Sequence, residues 1–393
     1  MMTEWYSRRA ERDLLRLVHE RPAVLVTGAR QTGKTSLVRK SLPQYSYVTL
    51  DLPSEAEQAE HDPATFLKRH PPPLIIDEVQ YAPGLFRHLK AKIDAQRKEN
   101  GQFVLTGSHK LTLMKNASES LAGRVAVLEL AGLSLPELMQ AKVRLSPMEI
   151  ALRGSLPELW QKPELSSAEY YRSYVATYLE RDLRSLLEVG SLRDFERFVR
   201  ACALRSAQLL NKAELARDVG ISPSTAGIWL SVLEASNQIF LLEPWFVNKT
   251  KSLVKSPKLY LWDVGLMAYL MGVHSAADAL DSPHVGALWE TFVCSELRKV
   301  PTLESRGDLF FWRDRTKEAD FLFHKAGRFE LFDAKYSEFP DAKEAKTLLA
   351  VSQELGERNV KRLGLICRAA HSYPLRERVQ ALTLRDALQG GRD

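Results

Sequence analysis

The stretch "VTGARQTGKTSLV", residues 26–38, has the composition and spacing of a phosphate cradle. Gly28 and Gly33 bracket the pattern GxxxxGK[ST], which continues through Lys34, Thr35 and Ser36. In such a loop, backbone N–H groups wrap a β-phosphate, a lysine reaches the β and γ oxygens, and a Ser/Thr hydroxyl binds Mg²⁺. The expected ligands are therefore ATP and Mg²⁺, with Lys34 on the phosphates and Thr35 on the metal. Further along, "LIIDEVQ" ends an apolar run in Asp77 and Glu78. Asp77 is expected to hold Mg²⁺ through water, and Glu78 to orient and deprotonate the attacking water. "QFVLTGSHKL" ends a third apolar run, and Ser108, with Thr106 second, is expected to touch the γ-phosphate or that water. Arg124, in "SLAGRVAVLEL", precedes another β-branched run and is expected to reach a neighbouring subunit's nucleotide. The alternative for Arg124 is a surface ion pair.

A second group of ionisable residues lies near the other end. In "GALWETFVCSELRKV", Glu290 falls on the same helical stripe as Val293, Cys294 and Leu297. Asp320 sits inside "ADFLF", and "ELFDAKYSEF" places Asp333 and Lys335 two positions apart, on one face of a strand. The order Glu, Asp, Asp-x-Lys matches the PD-(D/E)xK nuclease pattern. There the carboxylates hold Mg²⁺, with Mn²⁺ as a substitute, against a scissile phosphate, and the lysine positions water. Ala319 stands where the motif's proline would be. The alternative is a nuclease fold kept as a scaffold, with Asp333 and Lys335 as a buried ion pair.

These residues need elements to hold them. Residues 23–42 read as buried strand, glycine turn and helix, and 74–78 as a parallel strand with its acids at the carboxyl end. In the middle, "LLNKAELARDVGISPSTAGIWLSVLEASNQIFLLEPW" reads as a winged helix. Asn211 or Lys212 opens one helix, Gly220 turns the chain, and Ser222 caps the next. That second helix is expected to send Ile228, Leu230 and Leu233 inward, with Ser224, Thr225 and Trp229 outward. It offers no Arg or Lys, so sequence-specific base reading is not expected. Lys249, Lys251, Lys255 and Lys258 are candidates for phosphate contacts; a lysine-bearing strand edge is the alternative.

Together, "GARQTGKTSL", "IIDEVQ", "LTGSHK", "SLAGRVAVLELAGLSLPEL", "YLERDL", "PKLYLWDVGL", "GALWETFVCSEL" and "EADFLF" resemble a large prokaryotic family of AAA-type ATPases with a C-terminal domain of unknown function. The resemblance implies an α/β protein. Its parts would be a P-loop AAA-type parallel-sheet ATPase core (1–150), a helical connector (151–190), a winged-helix segment (191–275) and an α/β restriction-endonuclease-like domain (276–393). Ser108 would then occupy the sensor position of such ATPases.

The 393-residue length suits two or three domains, each with its own core. No apolar run is long enough for a membrane helix, and the amino-terminal residues lack a signal peptide's apolar region. A cytoplasmic chain is expected. Cys202, Cys294 and Cys367 have no metal-ligand spacing and are expected to be buried thiols. A net charge of +6 and a pI near 9.0 favour an anionic partner mildly. The sequence therefore predicts a Mg²⁺-dependent ATPase, a homo-oligomeric ring with a hexamer favoured, acting on DNA without sequence specificity. The rival readings are a branched-DNA motor whose C-terminal domain does not cleave, and a nucleotide-dependent protein-binding switch or scaffold.

Overall fold

Alternation along the first strands builds two apolar layers at once. The computed structural model describes residues 5–108, 113, 120–179, 192–246, 256–299 and 306–389. Strands β1 (Ala23–Thr27), β2 (Ser46–Thr49), β3 (Leu74–Asp77), β4 (Phe103–Thr106) and β5 (Val125–Glu129) form a parallel sheet in the order β2-β3-β4-β1-β5. Because successive side chains point to opposite faces, Leu25, Leu74, Ile76, Phe103 and Leu105 pack with Phe66, Phe86, Leu89 and Ile93. Val24, Val26, Ile75 and Val104 pack on the other face with Leu14, Val18, Leu37 and Val38. Helices α1 (Ala10–Glu20) and α2 (Lys34–Ser41) supply the latter layer, and α3 (Leu85–Ala95) contributes to the former. Burying each of these Leu, Ile, Val or Phe side chains contributes about 1.5–3 kcal/mol. The strand order carries the functional consequence, since β4 lies between β1 and β3 and brings Thr106 between the phosphate loop and Asp77.

The chain divides into two compact units. One comprises Met1–Leu133 with Leu156–Gln161 and Ala235–Asn237; the other comprises Ser134–Ser155, Lys162–Glu234 and Gln238–Asp393.

In the second unit, α4 (Leu192–Leu204), β6 (Gln208–Leu209), α5 (Lys212–Val219), α6 (Pro223–Ala235), β7 (Ile239–Leu242) and β8 (Lys258–Leu261) follow in order. Asn211 caps α5 by accepting from the Glu214 N–H (3.1 Å), Gly220 takes φ 83°, and the Ser222 hydroxyl accepts from the Thr225 N–H (3.0 Å). The helix phase of α6 differs from the sequence expectation. Trp229 is buried, edge-on to Phe195 and Phe198, whereas Ile228 is 56 % exposed. Ala226, Trp229, Leu230 and Leu233 define the inward i, i+3, i+4, i+7 stripe, which leaves Ile228 on the outer face with Ser224 and Ser231. The three strands order as β6-β8-β7, with β8 central.

After α7 (Val264–Met271) and α8 (Val285–Lys299), the chain enters a six-stranded sheet. Strands β9 (Asp308–Arg313), β10 (Glu318–Lys325) and β11 (Arg328–Ala334) are antiparallel neighbours. Helix α9 (Ala345–Glu354) then leads to β12 (Val360–Cys367), parallel to β11, and β13 (Tyr373–Arg376) and β14 (Val379–Thr383) complete the order β13-β14-β12-β11-β10-β9. One face packs Leu322, Leu331, Leu363 and Leu365 against Leu348 and Val351 of α9. Beyond β7 the chain also hydrogen-bonds to β9: the Phe311 N–H donates to the Glu243 carbonyl (3.1 Å) and the Trp245 N–H to the Phe311 carbonyl (2.7 Å). Cys202, Cys294 and Cys367 are buried and unpaired, as expected. Among the described residues, no helix is long and apolar enough to cross a membrane.

Candidate functional site: a phosphate loop and a lysine-centred carboxylate cluster

The loop between β1 and α2 is shaped by glycine. Gly28 has φ 145°, and a Cβ there would stand 2.2 Å from the Leu130 carbonyl oxygen. Gly33, with φ 89°, is the residue at which α2 begins. That helix start leaves backbone N–H groups unpaired by the helix and favours an anion. Lys34 is 6 % exposed, and its Nζ donates to the Gly28 and Ala29 carbonyls at 3.0 and 2.9 Å. Burial lowers its pKa to about 8, against the opposing charges of Glu78 and Asp77. Ser36 lies exposed on the first turn of α2.

Thr35 Oγ1 donates to both oxygens of Asp77, at 3.0 Å each, and so joins the phosphate loop to the end of β3. Asp77 receives two further hydroxyls, from Tyr47 of β2 (2.9 Å) and from Thr106 of β4. Burial, and then the bond to Asp77, pushes the Tyr47 phenol up to about 12. A hydroxyl beside a carboxylate is the hard oxygen donor set that Mg²⁺ takes, so Thr35 and Asp77 fit the metal of a nucleotide complex.

Glu78 has a left-handed backbone, φ 55° and ψ 45°. That conformation costs a non-glycine residue on the order of 1–3 kcal/mol. Its N–H donates to Thr106 Oγ1 (3.3 Å), and its carboxylate accepts from the Gln80 side-chain amide. The Gln80 carbonyl oxygen and Ser108 Oγ are both buried without a hydrogen-bond partner among the described residues. Thr106, second choice in the sequence, is thus the residue bonded to the acid pair, whereas Ser108 is close in sequence with its hydroxyl unengaged. Arg124 lies on the same unit in a bidentate pair with Asp94, at 2.7 and 2.9 Å.

Three members of this site were missed in the sequence. Tyr47 requires knowledge that β2 borders β3. Gln80 stands two residues past Glu78, and that spacing was its signal. Arg8, 6 % exposed, donates to the carbonyls of Thr32 (2.9 Å) and Ala131 (2.6 Å), clamping the phosphate loop to the segment after β5; nothing local marks it.

The C-terminal carboxylates gather around a lysine. Lys258 of β8 is 2 % exposed, and its Nζ lies 2.9 Å from Glu290 Oε1, 3.2 Å from Asp320 Oδ1 and 2.5 Å from Glu318 Oε1. This corrects the expectation of a solvent-facing, phosphate-binding lysine: alternation in β8 turns Lys258 and Tyr260 to one face, and the Tyr260 hydroxyl also donates to Glu290 (2.7 Å). Lys249, Lys251 and Lys255 lie outside the described residues. Asp320 sits where the β9–β10 register shifts, opposite Asp333. The Asp320 N–H donates to Asp333 Oδ1 and the Ala334 N–H to Asp320 Oδ2, both at 3.0 Å. Burial, then the Asp320 charge, pushes the Asp333 carboxyl well above the usual range, and the same two causes raise Glu290 to about 7 against the pull of Lys258. Lys335 follows β11, where its backbone N–H donates to Ile366 (2.9 Å) and its charge favours the ionised form of Asp333. Of the three carboxylates expected to ligate metal here, Glu290 and Asp320 meet the Lys258 ammonium together with Glu318, whereas Asp333 accepts from the Asp320 N–H. Among the described residues, no group of three or more His, Cys, Asp and Glu side chains has the geometry to hold a metal ion.

The α/β sheet order, the glycine loop and the Thr35–Asp77 junction define an AAA-type, P-loop nucleotide-binding domain, and residues 20–139 match the AAA domain family. Residues 146–277 and 285–387 match two families described as domains of unknown function, DUF8612 and DUF4143. The chain is 32% identical over 383 residues to the uncharacterized proteins Mb2031c of Mycobacterium bovis and Rv2008c of Mycobacterium tuberculosis, covering 96% of this chain and 83% of each relative. It belongs to the same family as these two proteins. Among solved structures, it is similar to the Walker-type ATPase PABY2304 of Pyrococcus abyssi, at 17% identity and a TM-score of 0.46, over 68% of this chain and 96% of that one.

Proposed function

We propose that the chain is a Mg²⁺-dependent ATPase that couples ATP binding and hydrolysis to DNA binding, acting as a homo-oligomeric ring. The observation that carries the hydrolytic reading is the Thr35–Asp77 contact, 3.0 Å to each carboxylate oxygen, with Glu78 beside it and Lys34 buried in the loop. When ATP binds, the Lys34 ammonium exchanges the Gly28 and Ala29 carbonyls for phosphate oxygens, and the N–H groups at the start of α2 face the β-phosphate. Glu78 accepts the proton of the attacking water, and the Gln80 amide holds that carboxylate until substrate is in place. Thr106 fixes the acid pair through both its donor and its acceptor. Thr35 and Asp77 would hold Mg²⁺, which would supply charge neutralisation on the phosphates.

The DNA-facing part of the reading rests on two element orders. The run α4-β6-α5-α6-β7-β8, with β8 central, suits a winged helix. The run α8-β9-β10-β11-α9-β12 suits a restriction-endonuclease-like core. In this reading, residues 1–150 form the ATPase domain, 151–190 a connector, 191–275 the winged helix and 276–393 the nuclease-like domain. The outer face of α6 carries Ser224, Ile228 and Ser231 and no basic side chain, which supports contact with DNA that does not read bases. The lysine-filled carboxylate cluster favours a C-terminal domain that grips DNA without cleaving it. ATPase rates with and without single-stranded, duplex and branched DNA are the test: stimulation by one of them is expected, and a rate indifferent to all three favours the protein-binding switch.

A further inference from the structure

We propose that Lys258 is the resident cation of the C-terminal carboxylate cluster, standing in the place where a divalent metal would bind, so that this site takes no metal in this chain. An ammonium has three N–H donors, and here each faces a different carboxylate: Glu290 from α8, and Glu318 and Asp320 from β10. Nothing is left over on the cation. The carboxylates are likewise engaged, since Glu290 also accepts from Tyr260, Asp320 from the Ala334 N–H, and Glu318 from Arg313 at 2.9 Å.

The lysine is also held in place from behind. Strand β8 is central in its sheet, with β6 and β7 hydrogen-bonded on either side, and Leu242 and Leu209 are the register partners of Lys258. Withdrawing the side chain would leave like charges facing one another in a buried site, which is the costly arrangement for ionised groups. A divalent ion must therefore displace a cation that is already fully coordinated and shielded from water. An ammonium has no coordination position to offer a water and cannot polarise a phosphoryl oxygen as a Lewis acid. The positive charge at this point thus serves cohesion: it ties the strand that follows the helix-turn-helix to the helix and strand that bear the acids.

This inference does not depend on the ATPase reading, and its test uses no nucleotide. The full chain carrying Asp77→Asn, which removes the phosphate-loop metal site, is titrated with Mn²⁺ and the free ion is counted by electron paramagnetic resonance. No bound Mn²⁺ at millimolar metal is expected. In the same background, Lys258→Met should acquire one Mn²⁺ per chain, and adding Asp320→Asn should abolish it. Micromolar Mn²⁺ binding by the Lys258-bearing chain that disappears with Glu290→Gln would overturn the proposal. So would a folded Lys258→Met chain, judged by circular dichroism, that gains no Mn²⁺. If Lys258→Met does not fold, the titrations of the Lys258-bearing chain and of its Glu290→Gln variant decide alone.

Discussion

Arg124 grips Asp94 with two parallel hydrogen bonds, Nε to Oδ1 at 2.7 Å and Nη2 to Oδ2 at 2.9 Å. A guanidinium held this way is oriented, and it must exchange partners before it can reach a neighbouring subunit's phosphates. If it does so, Arg124→Ala lowers turnover by about a thousandfold or more, the range for an arginine finger. Mixing Arg124→Ala with Lys34→Ala chains should then restore activity at interfaces that combine one intact site from each. Co-assembled mixtures without rescue would leave Arg124 as the ion-pair partner of Asp94 only.

Lys34 and Glu78 should separate binding from chemistry. Lys34→Ala removes a phosphate contact and is expected to weaken nucleotide binding and turnover together. Glu78→Gln should keep ATP bound while turnover falls by roughly 10²–10⁴, the usual contribution of a general base. Equilibrium binding of a fluorescent ATP analogue, set beside steady-state rates, distinguishes the two; unchanged turnover in Glu78→Gln would remove its assigned role.

Gln80 restrains Glu78 through its side-chain amide, while its own side-chain carbonyl oxygen is buried without a partner among the described residues. Gln80→Ala is expected to raise the basal rate severalfold and shrink the stimulation given by DNA, with KM for ATP little changed. A tenfold drop in kcat at constant KM would instead mean that Gln80 aligns the base.

Asp263 should be a stability hot spot. It accepts from the Leu266 N–H (2.8 Å) at the start of α7, from the Ser155 N–H (2.7 Å) and hydroxyl (2.6 Å), and from the buried Tyr171 hydroxyl (2.6 Å). Asp263→Ala leaves three donors without this acceptor and the Tyr171 hydroxyl with only the Arg153 carbonyl at 3.4 Å, and is expected to cost about 3–5 kcal/mol, measured by urea unfolding. A loss below about 1 kcal/mol would mean that water replaces the carboxylate.

Alkaline pH should destabilise the fold through buried acids. Burial raises the Cys202 thiol and the Tyr171 phenol above their ordinary values, so the folded chain keeps protons that the unfolded chain releases. Their contribution is complete below the unfolded values, about 8.5 and 10, and is lost as pH rises through them, at about 1.4 kcal/mol per pH unit for each group. Melting curves from neutral pH upward should show Tm falling beyond the thiol value. Burial raises the Cys294 and Cys367 thiols as well, so Cys202→Ala should lessen that first decline without abolishing it.

What was legible in the sequence was whatever depends on neighbours along the chain. Gly28 to Thr35 form a loop whose spacing is itself the geometry, and Asp77 and Glu78 end a strand that local composition marks. Tyr47 became part of the site only through the strand order β2-β3-β4-β1, which no local pattern encodes, and the same order is what ranks Thr106 above Ser108. The Ile228 and Trp229 orientations were exchanged because a helix apolar on most positions leaves its phase to the partners, here Phe195 and Phe198. Lys258 was misread for a related reason. Its context, "KSPKLYL", looks like a solvated lysine run, and only the folded position of Glu290 and Asp320 reveals why a charge is buried there.

The short backbone pairing of Glu243 and Trp245 with Phe311 means that β9 is not a bare edge. A gene fragment beginning near residue 276 would encode every strand of the six-stranded sheet, yet yield a protein with that margin open to other molecules and with Glu290, Glu318 and Asp320 deprived of their cation. Such a fragment is expected to self-associate. Recombination that swaps the C-terminal sheet between relatives should therefore succeed only when the breakpoint lies upstream of β7, so that the strand, the lysine and the acids are inherited together.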